Sequence, residues 1–303
     1  MKMKVTPFER KRLDLDPEFI HLNRNMLMGM HPKNIYDGMI GSIREEGISR
    51  YPDGIEYIYD KLSGYIGYPS ENILITWGVE GGFKAVLETY DLVGESIGIL
   101  TPTCATTGFI YPTVFSVNVV NVSGDAPDYQ IPVEKILDII PKIKVLFLDN
   151  PKSHIETYLN SDEVWEIVNC AEYHGVLVFL DEIYCGFGTE EFLQVGSFDI
   201  TRFENLIISS SFSKTHMLPG LKFGWLVTSE NILNEIESAR FIYETNNPTM
   251  DMVDYVCNNP EYFDYFRESV MIKRTDIMKK MLLNEQANIS SHAKSFKPYG
   301  EFT

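Results

Sequence analysis

Polar groups punctuate the ends of otherwise apolar segments in this chain, and their types suggest carbonyl chemistry. Ser209-Ser210-Ser211-Phe212-Ser213-Lys214 follows the apolar run Leu206-Ile207-Ile208 and leads into Pro219-Gly220-Leu221-Lys222-Phe223-Gly224. A lysine amine at the end of a buried strand can condense with a carbonyl once its surroundings favour the neutral form. A solvated surface lysine is the plainer alternative. Asp181-Glu182-Ile183-Tyr184 follows the run 176–180 and offers a carboxylate and a phenol; a turn cap and a packed ring are their structural counterparts. Asp149-Asn150-Pro151 closes the run 145–148 with an amide. Trp77-Gly78-Val79-Glu80-Gly81-Gly82 joins the run 73–76 to an apolar helical stretch, 83–90. Backbone N–H groups at such a junction can hold an anion, usually a phosphate, although a tight strand-to-helix connection with no ligand has the same pattern. It is neither a Walker motif nor a dinucleotide fingerprint.

These groups need a scaffold that brings strand ends together. Short apolar runs at 73–76, 96–100, 145–148, 176–180, 206–208 and 223–227 read as buried strands, and 114–122, rich in β-branched residues, reads as another. Helical spacing is expected over 36–46, closed by Gly47, and over 55–64, 83–90, 133–140 and from Ser161 to a stop at Gly175. Strands alternating with helices predict an α/β fold, a largely parallel sheet sandwiched by helices. Ligands of such sheets lie outside the carboxyl ends of the strands. There the lysine, carboxylate, phenol, amide and anion cradle would suit one cofactor bearing an aldehyde, a pyridine nitrogen, a ring hydroxyl and a phosphate.

Composition excludes other classes. The 303 residues carry a net charge of −17, with 44% hydrophobic and 23% charged residues. That acidity disfavours a nucleic-acid surface, and no apolar run has the length of a membrane span. Four scattered cysteines (Cys104, Cys170, Cys185, Cys257) and no signal-like N-terminus fit a cytoplasmic protein. His154, His174 and His216 lack metal-ligand spacing, so no metal is expected.

Asp181-x-x-Tyr184, Ser211-Phe212-Ser213-Lys214 and Gly220-Leu221-Lys222-Phe223-Gly224 together resemble the fold-type I aminotransferases that use pyridoxal 5′-phosphate (PLP). Leu22-Asn23-Arg24-Asn25, Arg50-Tyr51-Pro52-Asp53 and Pro69-Ser70-Glu71-Asn72-Ile73 are most similar to the histidinol-phosphate aminotransferase branch. The resemblance implies catalytic roles for Lys214, Asp181 and Tyr184. Lys214 would bond the cofactor as an aldimine and shuttle a proton between Cα and C4′. Asp181 would pair with the pyridine nitrogen, and Tyr184 and Asn150 would bind the ring hydroxyl. The phosphate would rest on the backbone N–H groups of Val79 and Glu80, with Ser211 and Lys222 reaching it by side chain. Tyr51 would reach the phosphate of a neighbouring subunit, implying a homodimer. Substrates would be an amino acid and a 2-oxo acid.

Departures from that pattern carry expectations of their own. Lys222 stands where arginine is usual, keeping the charge but losing the bidentate fork. Cys104 stands where an aromatic ring usually stacks, and Glu80 brings a carboxylate to the phosphate end. The expected organisation is an arm (1–35), a large PLP-binding domain (36–240) and an incomplete C-terminal small domain (241–303). The family's carboxylate-gripping arginine would lie beyond Arg274, the last arginine here, which leaves Arg24 as a stand-in. Two alternatives remain at this point: a PLP-dependent decarboxylase of the same fold, and a truncated paralogue that only binds the cofactor.

Overall fold

The computed structural model describes Asn25 and residues 31–52, 54–125, 129–152, 154–155, 157–187, 200–240 and 243–283. The expectations placed on residues 1–24 and 26–30, Arg24 included, lie outside the described residues, as does the end of the C-terminal segment. Among the described residues, no helix is long and apolar enough to cross a membrane.

Seven strands form one sheet: β1 Ile73–Thr76, β2 Ser96–Thr101, β3 Asn118–Ser123, β4 Val145–Asp149, β5 Leu177–Asp181, β6 Leu206–Ser211 and β7 Gly224–Thr228. Their spatial order is β1-β7-β6-β5-β4-β2-β3. The pairs among β2, β3, β4, β5 and β6 are parallel, and β7 runs antiparallel to both β6 and β1. The helices are α1 Lys33–Gly41, α2 Glu45–Ile48, α3 Glu56–Ile66, α4 Gly78–Thr89, α5 Tyr111–Phe115, α6 Val133–Ile139, α7 Ser161–Tyr173, α8 Glu230–Ala239, α9 Asn247–Cys257 and α10 Pro260–Leu283.

Both faces of the sheet are apolar because successive side chains alternate sides. Leu146, Leu148, Val178, Leu180 and Ile208 join one core with Ile58 and Leu62 of α3, Val164 and Ile167 of α7, and Val253 and Val256 of α9. Phe147, Phe179, Ile207 and Leu226 join the other with Phe83 and Val86 of α4 and Ile236 of α8. A parallel sheet buried on both faces needs such continuous apolar runs. Helix α7 starts with a capping box, Asn160 accepting from the Glu163 N–H while Glu163 reaches back to the Asn160 N–H, and Gly175 beyond its end takes φ +65°.

Four sequence expectations need correction. The single helix over 36–46 is two: after α1 the chain turns so that the backbone and guanidinium nitrogens of Arg44 reach Asp251 at 2.9 Å, and Ser42 Oγ donates to the Asp251 carbonyl. The strand over 114–122 begins only at Asn118; Tyr111–Phe115 is helical, with Pro112 in its first turn, and Ser116 breaks it at φ +57°. The glycine-rich turn 77–82 is already helix, since α4 starts at Gly78. Strand β6 runs past Ile208 to Ser211, so the hydroxyl residues are strand residues.

Candidate active site

Strand register collects the singled-out residues along one edge. Thr76 of β1 and Ser211 of β6 both pair with Gly224 of β7, Asp181 of β5 pairs with Ser209, and Asp149 of β4 pairs with Asp181. The connections after β1, β4, β5 and β6 therefore leave the sheet on the same side.

One end of this edge suits an anion. No side chain caps the start of α4, whose first residues are Gly78, Val79 and Glu80. A helix N-terminus presents N–H groups and partial positive charge. Gly78 takes φ +69°, and a Cβ on Gly224 would lie 2.7 Å from the Gly78 Cα, so the two backbones touch where no side chain fits. Lys222, itself left-handed at φ +49°, holds its Nζ 3.3 Å from Glu80 Oε2 and 5.6 Å from the Trp77 ring centre. Ser211, 1% exposed, accepts the Ser213 N–H on Oγ at 3.2 Å, leaving its hydroxyl hydrogen to donate.

The other end gathers the amine and the acids. Lys214 Nζ donates to the Asn25 carbonyl at 3.1 Å, and Asn25 Nδ2 donates to the Tyr184 hydroxyl at 3.0 Å, so one residue bridges both. Burial lowers the Lys214 pKa, while the charges of Cys104, Asp181 and Glu80 pull it back up. A lowered pKa puts more of the amine in its nucleophilic form. Burial pushes the Asp181 carboxyl up to about 7, against the Ile183 N–H that donates to its Oδ1 at 3.0 Å. A cation docked on that carboxylate would pull the value down again.

Other predicted residues have further duties. Asn150 is fully buried and clamps the following loop: it donates to the Leu159 carbonyl at 3.1 Å and accepts the Leu159 N–H at 2.8 Å. Of its two amide hydrogens, one remains for a ligand. Cys104 is exposed, with Sγ 3.1 Å from Thr107 Oγ1. Tyr51, 72% exposed, stacks on Tyr243 with centroids 5.3 Å apart.

Sequence reasoning missed two participants. In the sequence Asn25 stands only within a motif, and its bridge between Lys214 and Tyr184 has no signal there. Lys152 is 1% exposed and pairs with Asp149 at 2.8 Å; a lysine just after Asn-Pro carries no sign of burial.

A seven-stranded, mostly parallel sheet with a lysine, a carboxylate and an anion cradle at one edge defines an α/β enzyme with a cofactor site. The family profile described as aminotransferase class I and II matches residues 113–285, and the chain belongs to that family. It is 24% identical over 273 residues to a histidinol-phosphate aminotransferase of Clostridium kluyveri, covering 89% of this chain and 73% of the relative. Its fold matches the Sinorhizobium meliloti histidinol-phosphate aminotransferase solved in complex with pyridoxal-5′-phosphate, with TM-score 0.74 and 14% identity over 84% of this chain and 69% of that one. It also matches the L-threonine-O-3-phosphate decarboxylase of Porphyromonas gingivalis, with TM-score 0.69 and 16% identity over 86% of this chain and 79% of that one.

Proposed function

We propose that this PLP-dependent aminotransferase moves an amino group between an amino acid and a 2-oxo acid, with Lys214 as its reacting amine. The observation that carries the reading is the placement of Lys214 and Asp181 at neighbouring strand ends, close enough for each to shift the other's charge state. The residues fit the cofactor: the start of α4 has no side-chain cap, a Cβ on Gly78 would meet nothing nearer than Lys222 Nζ at 3.9 Å, and a carboxylate of raised pKa waits for a cationic partner. When bound, PLP supplies an electron sink for the substrate Cα.

The chain's own groups then divide the work. At the phosphate end, the N–H groups of Val79 and Glu80, the Ser211 hydroxyl and the Lys222 side chain would hold the anion, with Lys222 exchanging its contact with Glu80 for it. At the ring end, Asp181 would pair with the ring nitrogen and keep it protonated, while Tyr184 and the remaining Asn150 N–H would hold the ring oxygen. Cys104 would offer the ring less contact than an aromatic. Lys214 would take the proton from the substrate Cα and return it at the cofactor's C4′, across the intervening nitrogen, the role of a positioned general base and acid. Asn25, which engages Lys214 and Tyr184 without cofactor, has to give up those contacts.

We further propose a homodimer in which the exposed Tyr51 of each copy serves the other's phosphate end. The proposed organisation keeps 36–240 as the cofactor-binding body, set apart from 1–35 and from a C-terminal region, 241–303. Purified protein with PLP, a panel of amino donors and 2-oxoglutarate should form glutamate. Carbon dioxide release without glutamate would identify a decarboxylase instead, and no turnover with any donor would contradict the reading.

A further inference from the structure

Behind Asp181 lies a second charged layer that the transfer reaction does not itself use. Asp149 and Asp181 are register partners on parallel strands, and such neighbours lie about 4.8 Å apart with side chains on the same face. Two carboxylates so placed oppose each other's ionisation. Lys152 answers this from the loop after β4: its Nζ donates to Asp149 Oδ1 and to the Leu100 carbonyl of β2, both at 2.8 Å. Its backbone is pinned as well, the Lys152 N–H donating to the Thr157 carbonyl at 2.8 Å, while the Asn150 N–H donates to the Asp181 carbonyl at 2.9 Å. A cation so deeply buried costs solvation and is retained only with partners of this quality.

We propose that Lys152, through its ion pair with Asp149, is a positioning residue that keeps the Asp181 carboxylate ionised for the cofactor's ring nitrogen. The inference rests on the assignment of Asp181 in the proposed function. Among the described residues, few charged or titratable groups face Asp181. Asp149 and Lys152 approach from β4 and its loop, Lys214 from the segment after β6, and Glu182 neighbours it in sequence. Burial pushes Glu182 up to about 8, so at neutral pH it is mostly uncharged. Burial pushes the Asp149 carboxyl up to about 6 against the pull of Lys152, so at pH 7 and above Asp149 is mostly a carboxylate, held 2.8 Å from Lys152 Nζ. With Lys152 present, Asp181 is the one unneutralised carboxylate of the three. Without it, Asp149 and Asp181 compete for a proton and Asp181 holds its own more tightly.

The test compares equilibrium binding, to the cofactor-free full chain, of PLP and of an analogue whose ring nitrogen is replaced by C–H. Only an ionised Asp181 distinguishes them strongly. At pH 8 the wild type should prefer PLP by roughly tenfold or more, the scale of a charge-assisted hydrogen bond. Lys152→Met, shown by circular dichroism to be folded, should fall to within about threefold of parity, and Asp149→Asn/Lys152→Met should regain the roughly tenfold preference. A merely structural role for Lys152 would weaken both ligands alike. A folded Lys152→Met that keeps the wild-type preference overturns the proposal, as does a folded double variant that lacks it. Should Lys152→Met not fold, Asp149→Asn decides. With the cation kept and the competing carboxylate gone, its preference must persist to lower pH than in the wild type, and loss at the same or higher pH overturns the proposal. A wild type with no preference would strike at Asp181 itself, which separates the two failures.

Discussion

Lys152 and Asp149, at the ring end, meet at 2.8 Å with side chains 2% and 11% exposed, whereas Lys222 and Glu80, at the phosphate end, meet at 3.3 Å with side chains 41% and 48% exposed. The chemistry of the two pairs is the same and their physics is opposite. The buried pair is fixed by a backbone carbonyl and by strand register, and losing one member strands a charge in the interior. The exposed pair is screened by water and salt, and its lysine is free to exchange one anion for another. In the proposed reading the ring end is a rigid electrostatic frame and the phosphate end an exchangeable clamp on a helix N-terminus.

The sharpest way to break the comparison is at Lys214, the proposed reacting amine. Lys214→Ala should lower amino transfer by roughly 10³-fold or more, the scale of a lost general base and acid, with the far-ultraviolet dichroism unchanged. Next comes the contrast between the pairs. Lys152→Met should cost about 3–5 kcal/mol in urea unfolding, because it leaves Asp149 buried and unpaired, whereas Lys222→Met should change stability by about 1 kcal/mol or less. Equal costs would erase the distinction.

A pH test follows at Asp181. Its carboxyl is raised from 3.8 to about 7 in the cofactor-free fold. Between those values the folded protein keeps a proton that the unfolded chain has released. The group's favourable contribution is therefore complete below about pH 4 and lost by pH 7 and above. Cofactor-free Asp181→Asn should then melt at a higher temperature than wild type at pH 8, with the gap closing toward pH 4, even as its amino transfer falls. A variant less stable at pH 8 would contradict the assignment of burial as the dominant cause.

The smallest expected effects are at the exchangeable end. Glu80→Gln frees Lys222 and should tighten PLP by roughly twofold to fivefold at low salt, with the gain shrinking as salt rises. Mixing Lys214→Ala with Tyr51→Ala subunits should restore a fraction of activity if Tyr51 serves the neighbouring copy, and no recovery would place its role within one chain.

The two regions also differ in how much of them the sequence discloses. The strands that carry Asp149 and Asp181, and the one that precedes Lys214, begin as continuous apolar runs and turn abruptly to polar residues, and that contrast is readable one residue at a time. The phosphate end was readable through its glycines, although Gly78 opens a helix rather than a turn. Hidden were the features decided by tertiary contact. The lysine at 152 looks like any turn lysine until Leu100 and Asp149 close over it. Asn150 reads as a free amide until Leu159 returns to occupy it. The apolar letters of Tyr111–Phe115 suit strand or helix equally, and only Ser116 in the left-handed conformation separates that helix from β3. The break after α1 follows from Asp251, more than two hundred residues away in sequence.

The most direct measurement is borohydride reduction of the protein with bound PLP, followed by peptide mapping. The account predicts a single pyridoxyl-modified peptide containing Lys214, with Lys152 unmodified. A label on Lys152 or Lys222 instead, or no label with excess cofactor, would contradict it.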